Sequence, residues 1–253
     1  MINLSGKTVF ITGASRGIGE AAARKAASYG ANVVLAARSN KDIERIAAEI
    51  GNKALALTCD VSDYDSIKEA IDSAVQHFGG LDVVVNNAGV IDPIDRIEDT
   101  CPDAWGNVID INIKGVYHCM HAAFPALLEA ANGGRSVIIN MSSGAAHGAL
   151  EGWAHYSASK AAVASLTRSA NREWNEKGIS VIGLSPGTVA TDMMMSIKKS
   201  GINAVSQIDW ETHISPDWVG EAICWLTTDE AREFDGTDFT IKTDEGRKLV
   251  GLI

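Results

Sequence analysis

The sequence predicts an α/β fold in which a doubly wound sheet of about seven parallel strands carries helices on both faces. Short, almost wholly apolar runs alternate with longer segments whose apolar residues recur at helical spacing. Glycine-containing turns separate the two kinds of segment. Continuous apolar runs are typical of strands buried on both faces, and their alternation with helices favours parallel pairing through right-handed crossovers.

The first half of the chain supplies four strands and three helices. The predicted strands are residues 8–12, 32–37, 54–58 and 81–85. The helices between them are an alanine-rich stretch at 21–27 and apolar residues at helical spacing over 43–50 and 67–78. Gly30, Gly51 and Gly79 end these helices.

The second half continues the alternation. Pro102 opens a long helix that Pro125 interrupts and Gly133 ends. The remaining predictions are strands at 137–141, 179–184 and 238–242, a helix carrying Tyr156 and ending near 177, and a helix from Pro216. The apolar tail to Ile253 is expected to dock on the fold or to form an interface.

Residues 188–214 lack a clean period and are rich in methionine. A flexible, apolar segment after the carboxyl end of a strand is typical of an adaptable substrate lid, although several of these side chains could equally belong to the core. We therefore expect one catalytic domain, 1–253, with a lid around 188–214. No low-complexity or Pro/Gly-rich linker divides the chain.

Composition limits the partners. With 46% hydrophobic residues the chain can bury one sizeable core, and a formal net charge of -10 without a basic cluster disfavours nucleic acid and anionic membranes. The four cysteines lack paired spacing, which favours reduced thiols in a cytoplasm over a disulfide framework. We also expect no leader and no membrane span, since no apolar run approaches bilayer length.

A glycine-rich turn follows the first strand and reads Gly13-Ala-Ser-Arg-Gly17-Ile-Gly19. Three glycines allow the backbone to approach a ligand, and a helix amino terminus offers free N–H groups to a phosphate. The spacing differs from the usual Gly-x-Gly-x-x-Gly dinucleotide fingerprint, so a purely structural turn remains the alternative at this point.

Arg38 stands where the second strand ends, and no carboxylate precedes it. In a dinucleotide fold, an acidic residue near this position accepts from a ribose 2′-hydroxyl, whereas an arginine accommodates a 2′-phosphate. With Arg16 as a second cation, the sequence favours NADP(H) over NAD(H); two ordinary surface arginines are the alternative.

Tyr156 and Lys160 lie four residues apart on a predicted helix, which places a phenol beside an ammonium group. A nearby positive charge lowers the tyrosine pKa from about 10 and would let the phenol exchange a proton. A solvated Tyr/Lys pair is the alternative. Ser142 and Ser143 follow the fifth strand, at the edge where open α/β sheets carry their sites.

Three polar residues of the long helix have plainer interpretations. Asn112, between two isoleucines, is by itself a satisfied buried amide or a functionally placed one. His118 and His121 lack a third ligand at a suitable spacing, so we predict no metal site.

Together the motifs resemble the short-chain dehydrogenase/reductase family, of the single-domain Rossmann type, over nearly the whole chain. In the family's order and spacing, the matching residues are Thr12-Gly13-x-x-x-Gly17-Ile18-Gly19, Asp60-Val61, Asn86-Asn87-Ala88-Gly89, Asn112, Ser143, Tyr156-x-x-x-Lys160, and Pro186-Gly187 with Thr191.

The resemblance implies a cofactor-binding role for most of these positions. The set consists of Gly13, Ser15, Arg16, Gly17, Ile18 and Gly19 at the pyrophosphate, Asp60 and Val61 at the adenine, Asn87, Ala88 and Gly89 at the ribose, and Pro186, Gly187, Val189 and Thr191, of which the last two orient the nicotinamide amide. Arg38 joins the cofactor-binding residues through its expected contact with the 2′-phosphate.

It also implies the catalytic set. Ser143 is selected over Ser142 because it lies thirteen residues before Tyr156. Tyr156 would act as general acid in reduction, and Lys160 would lower its pKa and hold the nicotinamide ribose. Asn112 would fix a water that leads protons to Lys160.

The carboxyl terminus departs from the family, many of whose members place a glycine pair after the last strand. Here residues 239–246 read Phe-Thr-Ile-Lys-Thr-Asp-Glu-Gly. Family members are usually homodimers or homotetramers, so the resemblance implies an interface formed by helices 102–132 and 155–177.

The expected function is NADPH-dependent interconversion of a ketone or aldehyde and an alcohol. The segment from Met193 to Ile214 together with Trp153 suggests a small substrate that is apolar or cyclic. A 3-oxoacyl thioester reductase is the alternative within this chemistry, although an acidic carrier protein would want a basic docking surface. A catalytically silent NADP(H) sensor has no need of Ser143, Tyr156 and Lys160 together. Sugar-nucleotide epimerases usually carry a second lobe, for which 253 residues leave little room.

Overall fold

The apolar runs form one sheet of seven parallel strands in a computed structural model that describes residues 2–253. The strand order is β3-β2-β1-β4-β5-β6-β7, and every neighbouring pair is parallel. The strands are β1 (Thr8–Thr12), β2 (Asn32–Ala37), β3 (Ala54–Thr58), β4 (Val83–Asn86), β5 (Ser136–Met141), β6 (Ile179–Ser185) and β7 (Asp238–Thr240). The predicted doubly wound α/β fold is confirmed.

Nine α-helices connect and cover the strands of the described chain. They are α1 (Gly17–Ser28), α2 (Asn40–Ile50), α3 (Tyr64–Phe78), α4 (Pro102–Ile109), α5 (Gly115–Ala131), α6 (Ala154–Trp174), α7 (Asp192–Ser200), α8 (Pro216–Leu226) and α9 (Asp244–Val250). Side chains cap several of them: Asp63 accepts from the backbone N–H of Asp65 before α3, and Ser215 accepts from that of Asp217 in α8.

Alternate residues of the strands face two separate cores. In β1, Val9 and Ile11 pack with α1 and α8 on one face, whereas Phe10 packs with α3, α5 and α6 on the other. Small residues allow α1 and α8 close contact, since a Cβ atom at Gly220 would lie 2.9 Å from the Ala21 carbonyl oxygen. The sheet is therefore buried on both faces, as its continuous apolar runs predict.

The structure differs from the sequence prediction at a few boundaries. β4 starts at Val83 rather than at residue 81, and β7 ends at Thr240. The long helix departs from α-helical bonding in a π-helical turn, Asp110–Lys114, while Pro125 lies inside α5. The tail is helical through α9, where Val250 is buried and packs against the core of the α1 and α8 face.

The segment predicted as a lid is partly helical. α7 is followed by two short 3₁₀ turns, Ala204–Gln207 and Trp210–Thr212. Its base is closed by a parallel bridge between Val189 and Ile214. The backbone N–H of Ala190 donates to the Ile214 carbonyl at 2.9 Å. The segment between Val189 and Ile214 therefore begins and ends at adjacent points.

Within the described residues, no helix is long and apolar enough to cross a membrane, and no cluster of three or more side chains suits a metal ion. His118 instead contacts the Val61 carbonyl, and His121 contacts the Tyr64 hydroxyl, each at 3.0 Å. The four cysteines carry free thiols, three of them buried.

Candidate active site

The candidate site is a cavity of about 1110 Å³ along the carboxyl ends of the strands. The strand order reverses between β1 and β4, and open α/β sheets bind ligands in the crevice at this switch point. Loops after β1, β2, β4, β5 and β6 all line the cavity. The fold therefore brings together segments that are far apart in sequence.

The glycine loop between β1 and α1 fits a phosphate group. Gly13 and Gly17 have positive φ angles of 63° and 58°, and a Cβ atom at Gly19 would lie 2.3 Å from the Gly13 carbonyl oxygen. No side chain caps the amino terminus of α1. Its free N–H groups, at the positive end of the helix dipole, can therefore bind an anion.

Asn87 and Thr12 tie this loop to the end of β4. The Asn87 side chain donates to the carbonyl oxygens of Thr12 and Gly13 at 2.9 and 3.1 Å. In return, the Thr12 hydroxyl accepts from the backbone N–H groups of Asn87 and Ala88, both at 3.0 Å. Asn87 thus shapes the loop as well as lining the cavity, and Thr12 is a supporting residue that the predicted site set lacks.

The far end of the cavity carries Arg38, Asp60 and Val61. Burial disfavours the charged form of Asp60, but two hydrogen bonds from Ser62 and the charge of Arg38 outweigh it and lower the Asp60 pKa. Arg38 itself is exposed at the end of β2. Its guanidinium is therefore available to a ligand.

Arg16 in the glycine loop forms an exposed ion pair with Asp192 at the start of α7, with 3.0 Å between Nη1 and Oδ2. The pair spans the cavity from the glycine loop to the predicted lid. Since both side chains are well exposed, it contributes little to stability and can exchange for a bound anion.

Tyr156 and Lys160 lie on the first turns of α6 and are buried, with 8% and 7% exposure. Ser143, which follows β5, lines the same cavity, and its hydroxyl is close enough to the Tyr156 phenol to act on the pKa of Tyr156. The solvated Tyr/Lys pair considered above is therefore wrong. The three side chains predicted to act together meet in one place.

The pKa of Tyr156 differs from the sequence prediction, which lowers it through Lys160. In the structure burial raises this pKa, and the nearby Ser143 hydroxyl only partly opposes the effect of burial. The reason is that removing a phenolate from water costs more than one hydrogen bond restores.

Lys160 is held by the backbone. Its Nζ donates to the Met141 carbonyl at 2.7 Å and lies 5.6 Å from the centre of the Tyr156 ring. Burial lowers the Lys160 pKa to about 8, and the negative charge of Asp238 acts against this shift. The amine therefore gains or loses its proton near neutral pH.

Asn112 lies in the π-helical turn and is 1% exposed. Its amide oxygen accepts from the Val90 N–H, and its amide nitrogen donates to the Val90 carbonyl, both at 2.8 Å, and to the Ser159 hydroxyl at 3.1 Å. The hydrogen bonds of the side chain are satisfied, and it lies behind the cavity rather than in its lining.

An apolar cluster closes the cavity beside Tyr156. Trp153 packs edge-on against the Tyr156 ring at 5.7 Å, and Met194 and Ile197 of α7 are buried against them. This side of the cavity suits an apolar group. α7 contributes Met194 and Ile197 to this apolar side, although apolar residues show no clear helical period in the sequence of the segment.

All but two of the predicted site residues line the cavity. The exceptions are Asn112 and Gly19, which lies beneath the glycine loop. Conversely, Asp92, Lys242 and Arg247 line it without having been predicted. Trp153, which the sequence associates with an apolar or cyclic substrate, lines it as well. A sequence signal exists for Trp153, which precedes Tyr156 by three residues, but none marks the two cations of the carboxyl terminus.

Comparisons with known proteins agree on the family. The sequence profile described as short chain dehydrogenase matches residues 7–201. A short chain dehydrogenase/reductase of Aspergillus oryzae is 30% identical over 98% of this chain and 97% of its own length.

Two further relatives carry a more specific name. A 3-oxoacyl-[acyl-carrier-protein] reductase of Staphylococcus aureus is 35% identical over 91% of this chain and 94% of the relative. The crystal structure of a 3-ketoacyl-(acyl-carrier-protein) reductase from Brucella melitensis, complexed with NADH, superposes with a TM-score of 0.85 at 31% identity, covering 94% of this chain and 98% of that one. The chain therefore belongs to the short-chain dehydrogenase family, whose members are oxidoreductases that use a nicotinamide cofactor.

Proposed function

We propose that this enzyme reduces a ketone or aldehyde to an alcohol with NADPH, and catalyses the reverse reaction with NADP⁺. One observation carries the proposal: Ser143, Tyr156 and Lys160 line the same cavity as the glycine loop. A binding module that performs no chemistry would not need a buried phenol, an amine and a hydroxyl beside its cofactor groove.

The bound cofactor supplies the hydride that reaches the carbonyl carbon. The hydroxyls of Ser143 and Tyr156 donate hydrogen bonds to the carbonyl oxygen, where negative charge develops. Tyr156 then transfers its proton to this oxygen as general acid. The raised pKa of Tyr156 supports this direction, because the phenol is protonated at neutral pH.

Lys160, as a cation, stabilises the phenolate that remains after proton transfer and holds the nicotinamide ribose. Asn112 is assigned to the proton path that leads to Lys160. Its amide oxygen and the Lys160 Nζ both border Gly89, at 3.4 and 3.9 Å from the position of a Cβ atom there. That arrangement supports Asn112 acting through its position rather than through direct contact with substrate.

Four groups of residues would hold the cofactor. The proposed set is Gly13, Ser15, Arg16, Gly17, Ile18 and Gly19 for the pyrophosphate; Asp60 and Val61 for the adenine; Asn87, Ala88 and Gly89 for the ribose; and Pro186, Gly187, Val189 and Thr191 for the nicotinamide amide. The contact between Gly17 and Thr191, whose Cγ2 lies 3.4 Å from a Cβ position at Gly17, supports one continuous groove.

The preference for NADP(H) rests on Arg38 and Arg16. Arg38 is exposed at the end of β2, and Arg16 forms an exposed ion pair with Asp192. We expect Arg38→Ala to weaken NADPH binding by roughly ten- to a hundredfold, as one charge-assisted hydrogen bond is lost, and to leave NADH binding nearly unchanged. Fluorescence titration with both cofactors measures this.

Arg45→Ala is the matched control for Arg38, because Arg45 is an exposed arginine of α2 that does not line the cavity. It should leave both dissociation constants unchanged. Equal losses of NADPH and NADH affinity in Arg38→Ala would contradict the assignment of the 2′-phosphate to Arg38.

A panel of ketones and aldehydes, followed by the loss of NADPH absorbance and repeated with NADH, tests the reaction itself. The apolar wall formed by Trp153, Met194 and Ile197 favours carbonyl compounds with an apolar or cyclic group. Residues 188–214 act as the lid of this single-domain enzyme. Turnover with NADH alone would reject the cofactor preference, and no turnover with any carbonyl compound would reject the reaction class.

A 3-oxoacyl thioester is the second candidate substrate, because two of the relatives are named as reductases of this class. Acetoacetyl-coenzyme A belongs in the panel for this reason. The net charge of -10 disfavours an acidic carrier protein, so we place a free small molecule first.

We also propose a homodimer or homotetramer in the cytoplasm, assembled through helices 102–132 and 155–177. Trp105 and Tyr117, on α4 and α5, are 40% and 51% exposed, which leaves apolar area for a second copy to cover. Multi-angle light scattering is expected to give a dimer or tetramer mass. A monomer at micromolar concentration would reject the assembly.

A further inference from the structure

Asp238, the first residue of β7, reaches across the neighbouring strand. Its Oδ2 accepts a hydrogen bond of 2.6 Å from the hydroxyl of Ser142, which follows β5. β6 lies between β5 and β7 in the sheet, so this contact bridges two strand spacings. An acidic side chain at the edge of the sheet is thereby joined to the residue next to Ser143.

A glycine makes this reach possible. Gly183 of β6 is paired with Asp238, and a Cβ atom at Gly183 would lie 1.8 Å from the Asp238 Oδ1. Any other residue at this position would occupy the space of the carboxylate. Gly183 therefore leaves the space that the Asp238 carboxylate occupies. Glycine weakens the interior of a strand, and this contact gives a reason for its presence in β6.

The carboxylate has two titratable neighbours. The Nε2 of the exposed His147 lies 3.3 Å from the same Oδ2. The second neighbour is Lys160, whose Nζ donates at 2.7 Å to the carbonyl of Met141, the residue directly before Ser142. The negative charge of Asp238 opposes the burial that lowers the Lys160 pKa. Lys160 lies close to the Tyr156 ring on its own helix and to the Met141 carbonyl of β5, and the Asp238 carboxylate of β7 acts on it through its charge. Asp238 is the only acidic side chain among these three groups.

We propose that Asp238 is a positioning residue of the active site, which holds the turn of Ser142 and Ser143 and keeps Lys160 in its cationic form. The catalytic part of this inference rests on the proposed function. The electrostatic part does not, because it concerns only the protein's own groups. If the Ser142–Asp238 hydrogen bond served only to anchor β7, loss of the Asp238 charge would leave the Lys160 pKa unchanged.

The first test observes Lys160 directly. In protein labelled with ¹³C at the lysine ε carbon, the Lys160 signal is assigned by its loss in Lys160→Arg and titrated with pH. In Asp238→Asn, which keeps the shape and one oxygen acceptor, the Lys160 midpoint is expected to fall below its value in the wild type, about 8. An unchanged midpoint would overturn the proposal, whatever the enzyme's substrate.

Glu245→Gln is the matched control, because it removes one exposed carboxylate from the same terminal segment. It should leave the Lys160 midpoint at the wild-type value. An equal shift in both variants would assign the effect to net charge, and would also overturn the proposal.

The second test uses turnover. Reduction needs the Lys160 cation, so the rate declines as pH rises through the Lys160 pKa, and this decline should begin at lower pH in Asp238→Asn. Ser142→Ala removes the hydrogen bond and keeps the charge, so it should lower kcat without moving the decline. Identical pH profiles for Asp238→Asn and the wild type would contradict the inference, whereas failure of all carbonyl substrates would reject only the proposed function.

Discussion

Replacing Tyr156 by phenylalanine is expected to lower kcat by about 10²- to 10⁴-fold and to leave NADPH binding close to that of the wild type. The substitution removes one oxygen from a ring that keeps its packing against Trp153. The proton donor for the carbonyl oxygen is lost, while the glycine loop and Arg38 remain intact. Single-turnover kinetics and NADPH titration measure the two effects separately.

Tyr64→Phe is the matched control, since it removes a hydroxyl that contacts His121 on the surface of α3 and α5. Its kcat should equal that of the wild type. If Tyr156→Phe lost binding and turnover to the same extent, the phenol would be a part of the cofactor site and not the general acid.

The second large effect concerns stability, at the opposite end of the sheet. Arg135 is 5% exposed and donates to Asp235 at 2.7 Å, to Ser180 at 2.8 Å and to the Thr228 carbonyl at 2.6 Å. Arg135→Met would leave the Asp235 charge buried without its cation. Breaking such a pair costs about 3–5 kcal/mol, so the melting temperature should fall by roughly 10 °C.

Two further variants separate the causes. Arg232→Met removes an exposed arginine whose partner, Asp229, is also at the surface, and should leave the melting temperature nearly unchanged. Arg135→Met combined with Asp235→Leu removes both charges and should recover part of the loss. A fall as large in the double variant as in Arg135→Met would show that packing, not the uncompensated charge, determines the effect.

The fold could be predicted because its strands are buried on both faces. Continuous runs such as Asn32–Ala37 leave little ambiguity, and the glycine turns that separate them mark where each helix begins or ends. The predicted boundary is wrong where the apolar run is longer than the paired segment: Leu81 is fully buried, yet pairing in β4 starts only at Val83.

Two features of the helices have no local signal. The π-helical turn at Asp110–Lys114 contains Asn112, whose side chain bonds to Val90 and Ser159, both of them distant in sequence. α7 similarly shows its amphipathic face only when Trp153 and Tyr156 are placed beside it. Tertiary contacts, not spacing, determine both.

For the candidate site, sequence could identify residue types but not their environment. The spacing of Tyr156 and Lys160 predicts their proximity, and α6 provides it. The direction of the Tyr156 pKa was wrong, because burial cannot be judged from a helix alone. Asp238 escaped prediction since its role needs a glycine on a neighbouring strand, 55 positions earlier.

The bridge between Val189 and Ile214 has a consequence for how this protein could diversify. The bridge holds both ends of this segment side by side, so the residues between them can be replaced by a segment of another length. The entropic cost of closing the loop grows only with the logarithm of its length. Grafting the corresponding stretch of a relative would then transfer substrate choice and leave the reaction machinery where it is.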